Sequence, residues 1–184
     1  MAFSISPDAE KYGFVVDKLG AHLARTIMVN ELSLLLTSCD HSADKEDYRN
    51  AVIKENVLLK KTSGSRKETY HRLNQLYGLS QSIFVFTVLR ELWKYTSNGK
   101  SILALLCALA RDPILRSSVD IITNSIEGEI ITSKSFEAIV QESFPGRLKV
   151  KTLESVGRNF AVCRVGYPLS VPGWLWPGAI CPRP

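Results

Sequence analysis

The chain is poor in the residues from which enzymes are built. Three histidines (His22, His41, His71) and four cysteines (Cys39, Cys107, Cys163, Cys181) are spread along 184 residues. No CxxC pair, H-E-x-x-H run or other metal-ligand spacing occurs, so no metal site is expected. Cys107 lies in an apolar run and reads as a small core residue. Cysteines without a disulfide framework suit a reducing cytoplasm. G-x-S-x-G and the Walker and Rossmann glycine patterns are also absent, and the run 61–66 resembles a phosphate loop only loosely, lacking its glycines. With no nucleophile–base set to assemble, the expectation is a non-enzyme with no catalytic residues and no cofactor. Long hydrophobic runs are missing too. The uncharged stretch 73–89 is interrupted by Asn74, Gln75, Gly78, Ser80, Gln81 and Ser82, and the apolar run 101–110 is shorter still. Both read as buried helices rather than membrane spans. The start MAFSISPDAEKYG has neither a basic nor an apolar leader region, so no signal peptide is expected and the location is read as cytoplasmic.

What the chain does have is basic charge in two places. Residues 54–72 hold Lys54, Lys60, Lys61, Arg66, Lys67 and Arg72 against Glu55 and Glu68. Residues 147–184 hold Arg147, Lys149, Lys151, Arg158, Arg164 and Arg183 against Glu154 alone. The remainder is slightly acidic, so the formal net charge of +5 is two basic islands on an acidic body. Such a distribution suits a polyanion, because neutralising phosphates releases condensed counterions. The plainer reading is two solvated surfaces. Hydrophobic content of 45% and a length of 184 residues allow one domain with a sizeable core, or one domain with a small appended module.

Periodicity predicts an all-α fold. Leu19–Ser38 reads as a helix with a stripe of Leu23, Ile27, Met28, Leu32, Leu35 and Leu36. A short extended piece is allowed at Tyr12–Val16. Ser42 or Asp44 caps a helix over Lys45–Glu55, and Ser63 or Ser65 caps one from Arg66 to Tyr77, ended by Gly78. On that helix Tyr70, Leu73 and Leu76 form the inner stripe, with Arg66, Lys67, Thr69, His71 and Asn74 off it. Ser80 or Ser82 opens a helix to Tyr95 that is apolar nearly all round and so reads as central. Ser101–Ala110 is another apolar helix, and Asp112-Pro113 starts one running to Asn124. Thr132 or Ser133 caps a helix over 134–143, Phe144-Pro145-Gly146 stops it, and Thr152 caps a helix over 152–161. No period-two alternation and no internal repeat appears. The expected division is an all-helical domain over 1–162 and an irregular tail over 163–184, which holds five of the eight prolines, Trp174 and Trp176.

Both basic islands fall on the second half of a possible helix-turn-helix. The first is the pair 44–55 and 66–77, with Lys60, Lys61, Ser65, Arg66, Lys67, Thr69, His71 and Arg72 in the turn or early in the second helix. The second is the pair 134–143 and 152–161, with Arg147, Lys149 and Lys151 before the second helix and Arg158 and Asn159 on it. Recognition helices meet DNA with their N-terminal residues, where the helix dipole also favours phosphate. Plain helical hairpins are the competing reading for each pair.

The run KENVLLKKTSGSRKETYHRLNQLYGL, the apolar helices after it and TSKSFEAIVQESFPGRLKVKTLESVGRNFA resemble the BrxA family, the small all-helical component of bacteriophage-exclusion (BREX) defence systems. The shared elements are an "E-N-L-L-x-K-x-S" turn, here Glu55, Asn56, Leu58, Leu59, Lys61 and Ser63, and a "K-T-x-x-S-V-G-R-N" element, here Lys151, Thr152, Ser155, Val156, Gly157, Arg158 and Asn159. The resemblance covers roughly residues 12–162 and implies a non-enzymatic, double-stranded-DNA-binding protein acting in phage restriction. The chain departs from the family after Ala161, where a Pro/Trp-rich tail replaces the Ser-Ser-Trp-type segment of relatives. The partners expected are duplex DNA and other phage-defence proteins, with no membrane, and a monomer rather than an obligate oligomer. Two rivals stay open: an interaction subunit that docks larger defence components through the tail and the N-terminal helix, and an RNA-binding helical protein.

Overall fold

A computed structural model describes residues 5–16, 26–96, 98–124 and 131–165. All regular structure among them is helical, with no strand. The chain forms two compact units, one including Ile27–Pro113 and the other running on from Ile114. The boundary between the two units falls after Pro113, the residue that cannot extend the helix before it. Of the tail, residues 163–165 continue a helix, and the rest lies outside the described residues.

In the larger unit, a 3₁₀ turn over Pro7–Tyr12 precedes α1 (Val29–Ser38), α2 (Lys45–Ile53), α3 (Ser63–Tyr77), α4 (Phe84–Tyr95) and α5 (Lys100–Arg111). α2 packs on α3, α3 on α5, α4 on α5, and α1 on both α2 and α5. Leu32, Leu35, Tyr48, Val52, Leu73, Leu76, Phe86 and Ala108 fill the core. Leu32, Leu35 and Leu36 of α1 and Leu73 and Leu76 of α3 face inward as read from periodicity. Asp44 caps α2, its N–H bonded to the Asp47 carboxylate at 2.9 Å. The same Asp44 accepts from Ser80 Oγ at 2.8 Å. The backbone N–H of Lys45 and then the Ser80 hydroxyl hold the Asp44 carboxyl below its usual range. A depressed carboxyl pKa stabilises the fold above the unfolded value, and that stability is lost as pH falls through the folded value. Asp44→Asn is therefore expected to flatten the acid limb of a stability–pH profile below about pH 4. Urea midpoints at descending pH check this, and an unchanged acid limb rejects the role.

Four expectations are corrected. The helix expected over Leu19–Ser38 is not continuous, and α1 begins at Val29, residues 19–25 lying outside the described ones: Met28 takes a left-handed φ of 51°, which a helix does not tolerate, and the Tyr77 hydroxyl claims the Ile27 carbonyl. Leu23 lies outside the described residues. Tyr12–Val16 forms no strand, since Tyr12 ends the 3₁₀ turn and Val15 N–H donates to Ala110 O at 3.0 Å. α4 opens at Phe84, and it is not central. Phe86, Leu89, Arg90 and Trp93 face inward while Phe84, Val88, Leu92 and Tyr95 remain exposed. The helix after Asp112 is broken into α6 (Pro113–Ser117) and α7 (Val119–Asn124). Ser117 and Ser118 there turn their hydroxyls onto the Ile114 and Leu115 carbonyls at 2.7 and 2.6 Å, competing with the helical bonds.

A half-buried arginine stitches this unit. Arg111 donates to Gln75 O at 3.2 Å and Gly13 O at 2.8 Å. Gly78 ends α3 with φ 64°, and a Cβ there would stand 2.7 Å from Arg111 Cζ. Cys107 is buried as expected, and burial pushes its thiol up to about 12.

In the smaller unit, α8 (Ser133–Ser143) packs on α9 (Val150–Val165), joining Phe136 and Val140 to a core that includes Leu153 and Val156. Thr132 caps α8 reciprocally with Ser135, as read. Thr152 does not cap α9, because the helix already starts at Val150 and the Thr152 N–H donates to Lys149 O at 2.9 Å.

Candidate nucleic-acid interface

The α2–α3 pair is joined by residues 54–62, in which Asn56 and Leu59 have positive φ. Asn56 Oδ1 accepts the Lys60 N–H at 2.8 Å and shapes the turn. Thr62 then caps α3: its Oγ1 accepts the Ser65 N–H at 3.1 Å, and Ser65 Oγ accepts the Thr62 N–H at 3.2 Å. The cap is thus Thr62 and neither Ser63 nor Ser65 as read, with Ser65 serving as its reciprocal partner in the first turn.

Of the basic residues read as contacts here, several are occupied. Arg66 folds back on the connector, donating to Ile53 O and Lys60 O at 3.4 Å each. Arg72 is paired with Glu68 at 2.7 Å and donates to Gln75 Oε1 at 3.1 Å. Lys60 is paired with Glu31 of α1 at 3.1 Å. Thr69 is 2% exposed, so it belongs to the core and not to a DNA-facing surface. Tyr70, on the neighbouring edge, reaches the Lys45 carbonyl at 3.3 Å, and α3 is rotated so that Thr69 faces inward with Leu73 and Leu76. Lys61, Lys67 and His71 are exposed, and no side-chain partner is found for them among the described residues. Lys67 and His71 sit one turn apart on one face of α3, and Lys61 precedes its N-terminus. Lys54, counted in the basic island but not among the contacts, is exposed in the same connector.

The α8–α9 pair keeps more of its cations. Lys149, Lys151 and Arg158 are exposed and, among the described residues, carry no ion pair. Lys149 precedes α9, Lys151 lies in its first turn, and Arg158 falls two turns further along the same face. Arg147, in the turn, lies 5.9 Å from the Phe144 ring centroid, a cation–π contact. Asn159 is half-buried and interacts within the fold. Gly157 lets the helices meet: a Cβ there would stand 2.6 Å from the Ser133 carbonyl oxygen. Gly157→Ala gains up to about 1 kcal/mol of helix propensity but forces a backbone clash costing about 1–3 kcal/mol. A net loss in thermal unfolding is the expected result, and a gain would show that the crossing is looser than this.

Both pairs therefore place exposed cations about the N-terminus of their second helix, where unpaired N–H groups and the helix dipole already favour an anion. Among the described residues no cluster of His, Cys, Asp or Glu could hold a metal ion, and no helix is long and apolar enough to cross a membrane. Comparison with family models, curated proteins and solved structures finds no match to this chain.

Proposed function

We propose that this chain is a non-enzymatic double-stranded-DNA-binding protein that grips phosphates through the α3 and α9 N-termini. We further propose that it serves as an accessory component of a BREX-type phage-defence system, in line with its resemblance to BrxA. The observation that carries the DNA reading is the set Lys149 and Lys151 at the start of α9 and Arg158 two turns along it, all exposed and without ion pairs among the described residues. Lys61, Lys67 and His71 repeat the arrangement on α3. Cations left unneutralised within the fold are available to phosphate oxygens, and contacts of this kind carry affinity rather than sequence preference. The two packed pairs work as helix-turn-helix elements in this reading, although the 54–62 connector is longer than that of the simplest form. The defence role rests on the ordered motifs at Glu55–Ser63 and Lys151–Asn159.

Fluorescence anisotropy with duplex DNA and a structured RNA of equal length, at low salt, tests the partner. Tighter binding to the duplex is expected. Preference for RNA transfers the same surfaces to the RNA-binding rival. Absence of binding to either leaves the interaction-subunit reading in its place.

A further inference from the structure

The α4–α5 hairpin turns an apolar face outward that the larger unit leaves uncovered. On α4, Phe84, Val88, Leu92 and Tyr95 are 56%, 39%, 44% and 81% exposed. Their spacing of three to four residues sets them in one stripe. On α5, Ile102 and Leu106 are exposed, and Leu105 and Leu109 beside them are half-buried. No charged residue occurs from Ser101 to Ala110, so nothing ionic interrupts this side of α5.

The two stripes form one surface. α4 and α5 pack together and are joined by residues 96–99 alone, which makes them antiparallel neighbours. Tyr95 and Ile102 therefore share the turn end, and Phe84 and Leu109 the opposite end. Cys107 Sγ lies 4.0 Å from Val85 O, so the side of α4 that bears Val85, and Leu92 two turns on, borders α5. Tyr12 extends the patch beyond Phe84, the two ring centroids 5.7 Å apart. At these exposures the patch offers on the order of 600 Å² of apolar surface, the upper end of what a monomer shows.

Its size, charge and pattern favour a second copy as the occupant. Two such patches together bury about 1,200 Å², where stable interfaces begin. Charge does not oppose self-contact: Glu91 and Lys94 on the polar side of α4 are paired at 3.1 Å, and Glu91 also meets His41 at 2.9 Å. The α4 stripe reads aromatic, aliphatic, aliphatic, aromatic in either direction, so it complements itself about a two-fold axis. A lipid surface is matched less well, since helices that lie on membranes set many Lys and Arg beside their apolar face.

We infer that the α4–α5 face joins two copies of this chain in a two-fold dimer. The two α4 helices run antiparallel, Phe84 of one copy against Tyr95 of the other and Val88 against Leu92, so that the two hairpins pack as four helices. The larger unit has its own core, so the dimer forms reversibly from folded monomers. The face lies apart from the cations of α3 and α9 and does not depend on the nucleic-acid reading.

Sedimentation equilibrium of the full chain, from about 1 to 200 μM, tests this, and a doubling of mass with micromolar Kd is expected. Val88→Lys and Leu92→Glu replace exposed side chains, so thermal unfolding should stay near that of wild type. Each should weaken self-association about thirtyfold or more by burying an unpaired charge. Mixed in equal amounts, the two variants should pair again, because the introduced lysine of one copy meets the introduced glutamate of the other. Val150→Glu, at a 72% exposed position of the smaller unit, should leave association unchanged. A wild type that stays monomeric throughout overturns the proposal. The face then belongs to the tail if removing residues 166–184 brings pairing back, and otherwise to a different protein. Equal loss in Val150→Glu overturns the placement on α4–α5, and failure of the mixed variants to pair overturns the antiparallel register.

Discussion

Replacing Lys149, Lys151 and Arg158 together by alanine is expected to weaken duplex-DNA binding on the order of a hundredfold at low salt, at roughly 1 kcal/mol for each lost phosphate contact. Since all three side chains are exposed, unfolding should barely change. The paired variant Arg66→Ala/Arg72→Ala should behave the other way round. Arg66 spends its guanidinium on the Ile53 and Lys60 carbonyls, and Arg72 on Glu68 and Gln75. Losing them should leave DNA affinity within about threefold and cost about 1–3 kcal/mol of stability, through a loosened connector. Anisotropy and urea unfolding on the same samples separate the two outcomes. A large affinity loss in the Arg66/Arg72 variant with stability intact would assign contact to the arginines after all.

The largest effect on stability is expected at Arg90. Its side chain is 8% exposed and donates to Leu36, Cys39 and Asp40 carbonyls at the end of α1. The Leu36 and Cys39 carbonyls are among the acceptors that a helix cannot satisfy for itself at its C-terminus, whereas Asp40 O also accepts the Ala43 N–H at 3.0 Å, and a cation there meets the favourable end of the dipole. Arg90→Ala strands the carbonyls and opens a void. Arg90→Met keeps most of the stem volume and isolates the polar loss. Both should lose about 3–5 kcal/mol, lowering Tm by about 10–20 °C. Arg90→Met unfolding within 1 °C of wild type would show that solvent satisfies those carbonyls.

The helical class and most helices were legible because their determinants are local. Asp44, Thr132 and Gly78 announce helix ends through chemistry that acts within one turn, and the Leu32–Leu35–Leu36 and Leu73–Leu76 spacings mark buried faces. Non-local choices were not legible. Nothing in periodicity shows that Tyr77 takes the Ile27 carbonyl and interrupts the expected first helix ahead of Val29. α4 reads as apolar all round, yet it turns Arg90 inward and leaves Phe84, Val88 and Leu92 outside, because the α1 C-terminus needs a donor.

The candidate interface shows the same divide. Charge clustering located both islands, but counting treats every cation as solvated. In the first island the arginines and Lys60 serve carbonyls and carboxylates within the fold, which leaves Lys61, Lys67 and His71 exposed. The planar guanidinium, with its several donors, suits such internal bridging better than an ammonium group does. Thr69 was placed on the wrong face because the helix is rotated relative to a stripe led by Tyr70. In the second island Lys149, Lys151 and Arg158 stay exposed beside a short turn, and none of them carries an ion pair among the described residues.

Phosphate binding through α9 is tested most directly by the salt dependence of duplex-DNA affinity, from about 50 to 200 mM, for wild type and the Lys149/Lys151/Arg158 triple variant. Each neutralised phosphate contributes about 0.9 to the slope of log affinity against log salt, so the variant should lose about 2.7 from a steep wild-type slope. A wild-type slope near zero, or an equal slope in the variant, would contradict it.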